Sequence, residues 1–503
     1  MAAPRADGST SAHRATTGAN TEAPQKEDLR GVHFPADSEG KRSTGSLARD
    51  VVAAALSAVD PGAQRRMDAV KNWRKDYITP FVEMVACGVH NDAAYRTVSS
   101  TALHTLQSRM VCVTPEGEIP MTRYLASATA ETTPETLNVE GTGEKAAELV
   151  IPYKGTELSG AALEGQIARW RDAGVIEPST ADKLLEVQSH PEWLSLPGRE
   201  VAVLGMGSEM GPGNVLLDWG ATVLALDLPS SRVWERVLEP GRVAGTLRAP
   251  ISGGKPGIDL LAQLPEARAW IAAAAQSPVT LGTYLYADGG THVRLSSAAD
   301  ALAETLLDDG TVDALAYLAT PMDTFVVPGD VHEQSNAAFD AANKPSKLKG
   351  LLHRVTGGRG FSRNYPVGSG PAVHDALVTQ QGPNYTLAKR VQRWRSIEEL
   401  AKGRRVSINV APATRTVSVL KNKALAAVYK GAHRFGIEIF DPETSQALLA
   451  ALLVHDLSTE QADRDYLWEH EADGASSGGL WRQAYIPRSA LPAAAALGMA
   501  LDR

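Results

Sequence analysis

The run LPGREVAVLGMGSEMGPGNVLLDWGATVLALDLP, residues 196–229, constrains the fold more than any other part of the chain. VAVLG reads as a short buried strand, and the glycines after it as a turn. NVLLDW supplies a short helix and ATVLALD a second buried strand. Strand, glycine turn, helix and strand in that order make the βαβ unit of a parallel sheet. The alternation continues through TYLYADG, AADALAETLLDDG, VDALAYLAT, a helix around Tyr385, RRVSINVAP and SQALLAALLVHDL. Repeated units of this kind predict an α/β fold: a doubly wound parallel sheet of Rossmann type with helices on both faces.

With 503 residues the chain is too long for one ordinary core. Upstream of residue 195 the apolar spacing is helical, as in SLARDVVAAALSAV and ELSGAALEGQIARWRDAGVI. The expected division is a disordered tail over 1–45, a mostly helical N-terminal extension over 46–194, and a sheet domain over 195–503. An insertion is expected at about 235–280, because the stretch from Asp227 to Asp288 exceeds what a minimal crossover needs. Trp73, Trp170 and Trp193 are expected to anchor the N-terminal helices.

A net charge of −8 gives no general attraction to nucleic acid or to an anionic membrane. No apolar run reaches membrane-spanning length. Two cysteines, Cys87 and Cys112, make neither a disulfide framework nor a zinc motif, which favours a reducing, cytoplasmic setting. His470 in YLWEHEADG lacks a second histidine at helical spacing, so no metal site is expected.

The glycines of the first turn are Gly205, Gly207, Gly211 and Gly213. Without a Cβ the backbone there turns tightly and approaches a pyrophosphate, and the helix beyond offers free N–H groups. Asp227 ends the second strand, about twenty residues on, where a carboxylate accepts hydrogen bonds from an adenosine ribose. A carboxylate also repels a 2′-phosphate, so NAD is preferred, with NADP the alternative. Asp288, after YLYA, is a candidate contact to the adenine.

Tyr385 and Lys389 stand four apart in GPNYTLAKRVQRW, on one face of a helix. A free phenol has a pKa of about 10, and a neighbouring ammonium stabilises its ionised form, making an acid–base couple. The glycine turn, VDALAYLAT, YTLAK and RRVSINVAPATRT, taken in order, resemble the short-chain dehydrogenase/reductase family over about residues 195–490. That resemblance implies Tyr385 as the acid/base and Lys389 as its tuner and a ribose ligand. It implies a serine that orients the substrate oxygen, Ser369 or else Ser362, and a structural asparagine, Asn343 or else Asn336. It further implies cofactor contacts from Ala319 and from Pro412, Thr414 and Thr416. The chain departs from the family at Glu209, at Thr320 and at Ala413, where glycines are usual.

The expected activity is hydride transfer between a nicotinamide cofactor and a small alcohol or carbonyl substrate. The resemblance implies a homodimer or homotetramer, often formed through the helix that carries the Tyr–Lys pair. The alternatives are a lyase or epimerase on the same fold, and a non-catalytic nucleotide-binding scaffold.

Overall fold

The structure is a computed structural model that describes residues 30–238, 244–342 and 361–501. Six parallel strands form its centre: β1 Glu200–Leu204, β2 Thr222–Leu226, β3 Thr246–Ser252, β4 Val279–Thr283, β5 Val312–Ala319 and β6 Arg405–Val410. They lie in the spatial order β3-β2-β1-β4-β5-β6. Strand Glu135–Glu140 pairs antiparallel with β3, and Lys255–Pro256 folds back onto it. The protein is therefore α/β, with a mixed, mostly parallel sheet.

Five helices connect or follow these strands: α1 Gly213–Asp218, α2 Leu264–Ala274, α3 Gly290–Asp308, α4 Pro383–Ala401 and α5 Pro442–Ser458. Residues β1 and β4 are buried throughout, which is why their sequences are nearly continuous apolar runs rather than alternating ones. The pleat divides them between two cores. Ala202 and Leu204 face α2, α3 and α4, while Val201 and Val203 face α5. The chain passes from β1 outward to β2 and β3, then crosses back to β4 on the other side of β1. The strand order therefore reverses between the carboxyl ends of β1 and β4.

The region before residue 195 is not a separate extension. Helices Thr44–Ser57 and Asp92–Arg109 pack on α4, and helices Gly160–Asp172 and Pro178–Ser189 belong to the α5 core. Trp73 and Trp170 are buried in these two packings, as expected, and Trp193 is partly buried. Part of the stretch expected as a tail is structured. Gly31–His33 is a strand paired with Val111–Val113, while residues 1–29 lie outside the described residues. The expected insertion also resolves differently, because its ordered part is β3 and the crossover helix α2. Among the described residues no helix is long and apolar enough to cross a membrane, and no metal-ligand cluster occurs. Both cysteines are free.

Candidate functional site

Two neighbouring features occupy the carboxyl ends of the strands. The first is the glycine turn after β1. Gly205 has φ +88°, and a Cβ there would stand 3.0 Å from the Leu285 backbone nitrogen. Only glycine allows this turn to lie against the chain leaving β4. Asp227 at the end of β2 accepts the N–H groups of Gly207 and Leu228, each at 2.7 Å. The acid thus sits beside the turn, as its spacing implied. Gly213 opens α1 tight against Met206, where a Cβ would reach the sulfur at 2.5 Å.

Glu209 changes the character of this turn. Its carboxylate reaches the segment after β6 and accepts the Val417 N–H at 3.0 and 3.1 Å. Gln446 of α5 donates to the Glu209 carbonyl oxygen at 3.0 Å. One bond therefore ties the turn to the segment after β6 and another ties it to α5.

The second feature is the first turn of α4. Pro383 opens this helix, where a missing N–H costs nothing, and Gly382 precedes it at φ +83°. Tyr385 projects into a cavity of about 260 Å3, walled by Arg74, Tyr286, Asp288, His292, Gln381 and Asn384 among others. The Thr320 hydroxyl, just past the end of β5, faces the Tyr385 phenol. The rings of Tyr286 and His292 lie 6.4 and 5.5 Å from that of Tyr385.

Lys389 lies one turn further along α4, buried, and donates to the Leu318 carbonyl oxygen at 3.2 Å. Burial lowers its pKa to about 8, against the pull of the Asp323 carboxylate. The Tyr385 phenol moves the opposite way to the sequence-based expectation, up to about 12. Burial is the largest cause, and the Tyr286, Tyr429 and Asp323 groups add to it, while Thr320 pulls the other way. An ammonium beside a phenol lowers its pKa only where the charge is not outweighed by desolvation. Here desolvation wins.

Below this pair α4 carries a buried ionic network. Arg390 donates to Asp323 through Nε and Nη2, and Arg393 joins Asp323 to Glu471. Arg395 pairs with Asp300 and Glu399. Tyr95, from the N-terminal region, donates to Glu471 at 2.6 Å. These pairs hold α4 in one register beneath the cavity.

Several residues singled out from sequence are placed elsewhere. Ser369 is exposed in a loop, as is Ser362, and neither lines the cavity; the hydroxyl at the phenol is that of Thr320. Asn343 lies outside the described residues. Asn336 braces a loop, donating to the Pro366 carbonyl and accepting from Arg363. Ala319 ends β5, and β4 separates that strand from β1, so Ala319 stands away from the glycine turn and next to Tyr385's partner Thr320. VDALAYLAT is thus the fifth parallel strand. Asp288 lies in the wall of the Tyr385 cavity, where its Oδ1 accepts the Tyr286 hydroxyl at 3.1 Å. Thr414 spends its hydroxyl on Pro412 O and Ser445, whereas Thr416 starts the short helix after the loop. Thr320 and His292 were missed. Thr320 follows directly on the strand VDALAYLA, which is the signal that could have found it; nothing local marks His292.

Comparison of the chain with protein-family models, with curated proteins and with solved structures finds no match.

Proposed function

We propose that the protein is a nicotinamide-dependent oxidoreductase of the short-chain dehydrogenase/reductase type that reduces a small carbonyl compound. The observation that carries this reading is the Tyr385 phenol facing the Thr320 hydroxyl just past β5, with Lys389 one helical turn along α4 and bonded to the Leu318 carbonyl oxygen of the same strand. The strand order supports it as well, because β3-β2-β1-β4-β5-β6 is the doubly wound order that binds dinucleotides at its switch point.

The fit of the cofactor rests on the turn. Gly205 and Gly207 pack so closely against Leu285, Asp227 and Val233 that a Cβ would crowd them, so the turn is bare backbone. Asp227, which accepts the Gly207 and Leu228 N–H groups, would take a ribose hydroxyl on its remaining lone pairs. Asp227 also favours NAD over NADP. A bound reduced nicotinamide would supply hydride; everything else is the work of this chain's residues. Tyr385, protonated across neutral pH, gives its proton to the carbonyl oxygen, and solvent restores it. The Thr320 hydroxyl orients that oxygen. Lys389, charged below about pH 8, holds positive potential beside the phenolate left behind.

A second reading has one observation behind it. Glu209 ties the turn to the segment after β6 with a carboxylate, which favours a nucleotide-free scaffold. One experiment separates the two. Purified protein is incubated with NADH and a panel of small ketones and aldehydes, and reduced-nicotinamide absorbance is followed. Consumption that vanishes in Tyr385→Phe supports the oxidoreductase. Absence of both consumption and NADH-dependent thermal protection supports the scaffold.

A further inference from the structure

We propose that the cavity beside Tyr385 is a carboxylate-recognising substrate subsite, shaped for a small oxo or hydroxy acid. The inference deepens the redox reading of the same site and depends on it only for the role of Tyr385.

Two observations point to an anion, and a third to a hydrogen-bonding ligand. The 19-residue helix α4 points its N-terminus into the cavity, and no side chain caps it. The N–H groups of its first turn, with the helix's partial positive charge, favour a negative group there. Arg74, from the N-terminal region, brings its guanidinium against this same helix start: a Cβ on Gly382 would lie 3.3 Å from Nη1. Arg74 makes no ion pair with any described residue. A cation held at the positive end of a helix is unfavourable on its own and becomes favourable with an anion between them.

The third observation is independent of charge. His292 is 1% exposed, lines the cavity, and neither ring nitrogen finds a hydrogen-bond partner, although the Leu285 backbone lies nearby. Both amide atoms of Gln381, in the same wall, are buried and unpartnered. Leaving such groups unsatisfied is costly, and the oxygen atoms of an oxo acid satisfy the donors among them, the Gln381 amide N–H and the N–H of the neutral His292 ring. Asp288 is an acid in the wall; it is exposed at the rim and engaged by the Tyr286 hydroxyl. It repels a carboxylate from that side and leaves the Arg74 side open. An acid bound there by its carboxylate has its oxo group free to meet Tyr385. At about 260 Å3 the cavity suits a small molecule rather than a drug-sized one.

The test uses nucleotide-free full-length protein, so that binding is read apart from turnover. Pyruvate, 2-oxobutyrate and 4-oxopentanoate are compared with their uncharged amides by thermal shift and equilibrium dialysis. At least one acid should bind tenfold more tightly than its amide. Arg74→Ala should abolish that preference, and Arg74→Lys should keep most of it. If no acid outbinds its amide, or if the preference survives Arg74→Ala, the subsite is refuted. Acid binding without NADH consumption would overturn the redox reading and leave the subsite standing. Reduction of neutral ketones with no preference for acids would do the reverse.

Discussion

Lys389 Nζ donates to the carbonyl oxygen of Leu318 at 3.2 Å, which ties a buried ammonium to the last turn of β5. Its pKa is lowered from 10.5 to about 8. Below pH 8 both folded and unfolded chains hold this proton, and the cost of burying the charge is fully present. From pH 8 to 10.5 the folded chain has released the proton that the unfolded chain still binds, so stability rises with pH. The gain relative to Lys389→Met should reach about 3 kcal/mol across that window in chemical denaturation series. Carbonyl reduction should decline above about pH 8, and Lys389→Arg, which keeps its charge, should move that limb upward.

The phenol and hydroxyl at the head of α4 differ in their expected weight. Tyr385→Phe should lower kcat by about 10²–10⁴-fold, the range for losing a general acid, with the thermal midpoint little changed. Thr320→Val should cost roughly tenfold, since it removes a hydrogen bond that orients the substrate oxygen and not the proton itself.

Glu209 places a carboxylate in the turn that would receive a pyrophosphate, and like charges repel. Glu209→Gln should tighten NADH binding by roughly three- to tenfold in a fluorescence titration. Asp227→Ala should weaken it and narrow the preference for NAD over NADP. An unchanged affinity in Glu209→Gln would remove the carboxylate from any role in nucleotide access.

Asp323 is 1% exposed and receives both Arg390 and Arg393, and these cations hold its carboxyl below its usual range despite burial. Removing one partner of a buried ion pair leaves an uncompensated charge, which costs about 3–5 kcal/mol. Asp323→Asn should lose stability of that order in urea unfolding. Arg66→Ala, at an exposed pair with Glu83 and Asp60, should leave the urea midpoint almost unmoved.

His374 lies on the strand Ala372–Asp375, fully buried, with Nδ1 at 3.3 Å from the Tyr365 hydroxyl. Burial, with Arg488 nearby, lowers its pKa from 6.5 to about 3, while Asp323 pulls upward. The unfolded chain therefore takes up this proton first as pH falls. The stability that the neutral ring confers is complete above pH 6.5 and is lost toward pH 3. Between pH 6.5 and about 4.5 the wild type should lose about 3 kcal/mol more than His374→Phe.

The unit β1–α1–β2 and the helix bearing Tyr385 were legible because their signals are local: apolar runs, a glycine cluster, and side chains four apart. Strand order is not local. VDALAYLAT reads the same whether it is fourth or fifth, and nothing in its residues places Thr320 at the Tyr385 phenol. RVQRWR reads as a solvated basic face, yet Arg390, Arg393 and Arg395 are buried. Their partners Asp323, Glu471 and Asp300 are distant in sequence, so nothing in the helix announces them. ETLNVE, polar on alternate positions, looks like surface and is an edge strand of the main sheet.

The wrapping of α4 has a consequence for assembly. Helices Thr44–Ser57 and Asp92–Arg109 cover the face through which the family resemblance would join two copies, and the Arg390 guanidinium donates to the Phe81 carbonyl oxygen beneath that cover. The described walls around the Tyr385 phenol and the Lys389 ammonium come from the same polypeptide. If the proposed reduction is this protein's activity, turnover per molecule should stay level as the solution is thinned.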